Sequence, residues 1–63
     1  MTGKDLDYIK DIFNYNIVAI KKYQEYQNYL QDDNIIKMLN KLIKEHTDNA
    51  KELEMLLEEY QNE

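Results

Sequence analysis

The chain has 63 residues, a mass of 7.7 kDa and a formal net charge of −5, with one Gly, one His and no Pro, Cys or Trp. It also lacks Ser and Arg, which excludes disulfides and cysteine metal sites and removes the parts for Ser/His or Cys/His catalysis, so no enzymatic activity is expected. Eight Lys against thirteen acidic residues argue against a broad polyanion-binding surface, and a chain this short buries only roughly 60% of its unfolded surface and is marginal alone.

From the N-terminus, Leu6, Ile9, Phe13, Asn16, Ile20, Tyr23, Gln27 and Leu30 follow an unbroken 3-and-4 spacing, the a/d seam of a helix. Asn16 and Gln27 interrupt its apolar character. Ile12, Ala19 and Tyr26 form a parallel row that widens the stripe to the three-position face of a bundle helix. Thr2 followed by Asp5 fits a capping box, and helix 1 is predicted from about residue 4 to 31. The seam pauses at Gln31-Asp32-Asp33-Asn34, a turn over residues 31–34. Asp32 or Asp33 can accept hydrogen bonds from the first free amides of the next helix. Helix 2, predicted from about 33 to 61 and fraying into Asn62 and Glu63, repeats the spacing in Ile35, Leu39, Leu42, His46, Asn49, Leu53, Leu56 and Tyr60. Ile36, Ile43, Ala50 and Leu57 flank that seam, which His46 and Asn49 interrupt.

The pattern predicts an all-α, single-domain protein, residues 1–63, folded as an antiparallel two-helix hairpin. A hairpin gives each helix one neighbour and cannot cover two three-row stripes. Pairing of two hairpins into a homodimeric four-helix bundle is therefore expected, with folding and association as one event. Ile9, Phe13, Ile20, Tyr23, Leu39, Leu42, Leu53 and Leu56 are the candidate dimer core.

Folding the chain about position 32.5 sets Asn16 opposite Asn49, with His46 one turn away, so a central polar layer of Asn16, His46 and Asn49 is expected. One reading is that the layer fixes register and oligomeric state, as a buried Asn does in coiled coils. The other is a metal or small-ligand site in the bundle core. One imidazole and two amides supply no charge against a divalent cation, while Glu45 and Asp48 fall at helical angles away from the seam. No metal and no cofactor are expected.

The stretch Asn16-Ile17-Val18-Ala19-Ile20-Lys21-Lys22-Tyr23, continued by Tyr26, resembles the first helix of a ferritin-like or rubrerythrin-like half-bundle, where a ligand Glu stands seven residues before a Tyr. His46-Thr47-Asp48-Asn49-Ala50-Lys51-Glu52-Leu53 is similar to the family's Glu-x-x-His-Ala-x-x-Leu. The resemblance covers roughly residues 6 to 57 and extends to small spore-coat-associated members from low-GC Gram-positive bacteria. It implies a half-bundle that dimerises and a structural role, with spore association. The family's ligands are replaced by Asn16, His46 and Asn49, so its oxidase, peroxidase and iron-storage chemistry does not carry over.

In size and predicted architecture the chain also resembles the Rop-like plasmid RNA regulators. Where their RNA-facing helix 1 surface carries basic, amide and aromatic residues, this chain has Gly3, Lys10, Asn14, Val18 and Glu25. Lys21-Lys22 is the sole adjacent basic pair. Salt-sensitive RNA binding needs several phosphate contacts, so nucleic acid is not an expected partner. Tyr8, Tyr15 and Tyr29 share an outer stripe of helix 1 and, with Ile17 and Val18, leave it apolar nearly all round between Tyr15 and Ile20. Tyr8, Tyr15, Ile17 and Val18 are thus a candidate patch for another protein. Glu52, Glu54, Glu58 and Glu59 form a solvated acidic face or a dock for a basic partner. No apolar run approaches the ~20 residues of a membrane span, and MTGKDLDYIK holds no signal-peptide core. The expected location is the cytoplasm, with the protein itself as the expected partner.

Overall fold

A computed structural model describes residues 2–61, which form two helices, α1 (Gly3–Gln27) and α2 (Asp33–Gln61), packed as a helical hairpin. Thr2 caps α1: its backbone is extended, its side-chain oxygen accepts from the Asp5 amide at 3.1 Å, and its carbonyl accepts from Leu6. Asp32 does the same for α2, with Oδ1 accepting from the amides of Asn34 at 2.9 Å and Ile35 at 3.2 Å, and the carbonyl from Ile36. Asp33, in the first turn of α2, lies at the positive end of the helix dipole.

α1 stops at Gln27, short of the expected end near residue 31. The Asn28 amide donates to the Glu25 carbonyl, and those of Tyr29 and Leu30 both donate to Tyr26. The last turn thus tightens, with the Glu25 and Tyr26 carbonyls both satisfied. Asp32 can cap α2 only from outside the helix, so the chain unwinds after this tightened turn; no Gly or Pro marks the stop in the sequence. The expected fraying into Asn62 and Glu63 lies outside the described residues.

All eight residues of the first seam, the seven in α1 and Leu30 after it, are buried or half-buried. In α2 the inner positions are Ile36, Leu39, Ile43, His46, Ala50, Leu53, Leu57 and Tyr60, spaced 3 and 4 like the expected seam but rotated by one position at every other step. Ile36, Ile43, Ala50 and Leu57 face α1, whereas Ile35 and Asn49 are exposed and Leu42 and Leu56 are half-buried. The rotation buries the small Ala50 at 7% exposure instead of the Asn49 amide, sparing the cost of desolvating a polar group without a partner.

The hairpin is long and thin, 47 × 15 × 12 Å, with a radius of gyration of 14.5 Å, against about 10.6 Å for a compact domain of this length. Leu39, Ala50 and Asn16 are its buried residues, and no large side chain among the described residues is fully enclosed. Two helices in contact along one seam have no second layer to close over their outer rows.

Candidate functional site

Asn16 lies in the fourth turn of α1 and is the buried polar residue of the hairpin, 8% exposed. Its Nδ2 donates to the Ile12 carbonyl one turn earlier at 3.0 Å, and its Oδ1 lies 2.8 Å from His46 Nδ1. These contacts fix the amide orientation, because flipping it would set Oδ1 against a carbonyl oxygen. His46 Nδ1 is therefore the donor, and Nε2 is the acceptor of the neutral ring. The Tyr23 ring packs on the imidazole, centroids 5.6 Å apart and tilted by 44°. No buried side-chain nitrogen or oxygen among the described residues lacks a partner.

The polar layer thus differs from the expected one. With α1 ending at Gln27, the turn is centred near residue 30, and the pairing slides so that Asn16 meets His46. Asn49 is exposed, on the rim of a shallow groove of about 350 Å³ shared with Ile12, Asn16, Glu52, Leu53 and Leu56. Gln27, the other interruption of the first seam, donates through Nε2 to Asn40 Oδ1 at 2.6 Å, a pairing that rotation of α2 made possible and that seam spacing alone did not reveal.

The groove also fixes which rows share a side. Ile12 of α1 lies with Asn49 and Leu56 of α2, and seven-residue steps extend this face through Ala19 and Tyr26 on α1 and back through Leu42 and Ile35 on α2. Tyr8, Tyr15 and Tyr29 border it on α1 and Met38 on α2, with Tyr15 and Tyr29 exposed to 74% and 79%. Among the described residues, seven of the nine exposed large apolar side chains fall in these four rows, the others being Val18 and Met55. Of the candidate partner patch, Tyr8, Tyr15 and Val18 are exposed and Ile17 is half-buried on the opposite side. Of the candidate core, Leu39 is buried, while Ile9, Phe13, Ile20, Tyr23, Leu42, Leu53 and Leu56 are half-buried within the single hairpin.

Two amides and an imidazole whose Nδ1 is engaged offer hydrogen bonds but no anionic ligand. Among the described residues no group of three or more His, Cys, Asp or Glu converges to hold a metal ion. The residues present do not fit an iron site of the ferritin-like kind. Among the described residues no helix is long and apolar enough to cross a membrane. No protein-family model, curated protein or solved structure matches the chain.

Proposed function

We propose that the hairpin is a subunit: two copies close their Ile12–Tyr26 and Ile35–Leu56 faces on one another as a four-helix bundle, which serves as a non-catalytic structural or interaction module. The supporting observation is the area left open. The chain exposes 5160 Å², against roughly 4300 Å² for a compact monomer of its mass. The difference, on the order of 800 Å², is what one partner contributes to a standard-size interface. Because the exposed apolar side chains gather on one side, the excess forms a patch that a second copy can cover.

In this reading the Asn16–His46 pair sets alignment: an apolar core tolerates several registers, whereas a hydrogen-bonded pair at its edge is satisfied in one. The likeness to ferritin-like half-bundles bears on this scaffold and not on metal chemistry. Sedimentation equilibrium and circular dichroism across a dilution series test the proposal. The mass should be that of two chains at high concentration, and mass and helicity should fall together on dilution. A helical, folded monomer persisting at low concentration overturns it.

A further inference from the structure

The hairpin is electrically lopsided along its 47 Å length. Between Asn16 and His46 on the turn side, Lys21, Lys22, Lys37, Lys41 and Lys44 stand against four acidic residues. On the other side, three Lys stand against eight acidic residues among those described. Because the helices run antiparallel, Asp5, Asp7 and Asp11 of α1 share the open end with Glu52, Glu58 and Glu59 of α2, all of them exposed.

We infer that the second copy docks head to tail, the turn of each hairpin lying beside the open end of the other. The inference rests on the pairing proposed above and adds its orientation. Two hairpins can present the same face to each other about a two-fold axis in two ways. With the axis along the bundle, both turns lie together, each α1 neighbours the α2 of the other copy, and the acidic ends meet. With the axis across the bundle, α1 neighbours α1 and α2 neighbours α2, each pair antiparallel. The lysine-rich first half of one α2 then lies along the acidic second half of the other. Acidic residues border the apolar face at the open end, Asp5 continuing the Ile12 row and Glu52 and Glu59 the Met38 row at seven-residue steps. The axis along the bundle brings these acids of the two copies together, whereas the axis across it sets them beside the turn-side half, where Glu45 is the charged member of the Met38 row and Lys37 and Lys44 lie farther round α2. Neighbouring helix axes are 8–10 Å apart, about one Debye length at 0.1 M salt, so the charges act between adjacent helices at ordinary ionic strength. Like-charge juxtaposition disfavours the wrong partner arrangement more than attraction tightens the right one.

The chain has no Cys, so single cysteines report orientation directly. Gln31 lies exposed in the turn, and a Cβ added at Gly3 meets nothing within 4 Å. Gln31→Cys and Gly3→Cys, each carrying a nitroxide, are measured by pulsed dipolar electron paramagnetic resonance. Head-to-tail docking puts each label far from its own copy, at a distance approaching the 47 Å length of the hairpin, while mixing the two labelled proteins gives a short Gln31–Gly3 distance. A short distance between two Gln31 labels, about two helix spacings or less, overturns the orientation but leaves the pairing standing. Absence of any intermolecular distance in folded protein at high concentration overturns both.

Discussion

The two long faces of the hairpin are built from the same two helices and differ in what they offer a neighbour. One carries Ile12, Ala19 and Tyr26 beside Ile35, Leu42 and Leu56; the other, by the same seven-residue steps, carries Lys10, Ile17 and Gln24 beside Asn40, Thr47 and Glu54. The polar face satisfies much of its own hydrogen bonding, through Gln27 to Asn40 and through Thr47 to the Ile43 carbonyl at 2.7 Å. The apolar face has no comparable internal partner. Each helix therefore carries three apolar rows, of which the hairpin covers two. The third row is the same on both helices only because the turn and the rotation of α2 bring them to one side.

The sharpest way to break this contrast is to place the same charge on each face. Leu42→Lys should cost about 2–4 kcal/mol, since it loses apolar burial and desolvates an ammonium wherever that face is covered. It should also reduce the assembled mass in sedimentation. Gln24→Lys, exposed on the polar face, should stay within about 0.5 kcal/mol of the parent in chemical denaturation, with its mass unchanged. Equal effects from the two substitutions would show that both faces are solvated alike.

The hairpin itself was legible in the spacing, because apolar residues at 3 and 4 are what a helix seam requires and because Asp32 sits where a cap is needed. Three features were not. In α2 the rows 35/42/49/56 and 36/43/50/57 have the same period and nearly the same apolarity, and the choice between them was decided by packing Ala50 in place of the Asn49 amide. The end of α1 carries no Gly or Pro, so its stop at Gln27 came from the demands of the following cap. The pairing of Asn16 with His46 depends on the residue count of that turn, so an error of a few residues there moved the expected partner by one helical turn.

A middle-sized effect is expected at that pair. Asn16→Leu removes the acceptor of His46 Nδ1 and should cost about 1–3 kcal/mol, the penalty for leaving a half-buried polar group unpaired. Asn16→Leu combined with His46→Leu removes both partners and should recover most of that loss or exceed the parent stability. The double-mutant cycle should give a coupling of at least about 0.5 kcal/mol. Additive losses would show that the 2.8 Å contact contributes no interaction of its own. A changed oligomeric mass in the double variant would tie the pair to alignment of the apolar faces, the role a buried polar residue has in coiled coils.

The smallest effect belongs to the polar face. Asn40→Ala deletes the acceptor of the Gln27 amide, a bond of 2.6 Å between side chains of which Asn40 is exposed and Gln27 half-buried. Water can replace the lost acceptor on an open surface, so the net loss is that of an ordinary exposed hydrogen bond, about 0.5 kcal/mol, partly offset by the better helix propensity of Ala. Thermal unfolding should shift by no more than a few degrees, and the sedimenting mass should not change. A loss as large as that of Leu42→Lys, or a change in mass, would mean that Asn40 lies against another chain and that the copies meet through the polar face.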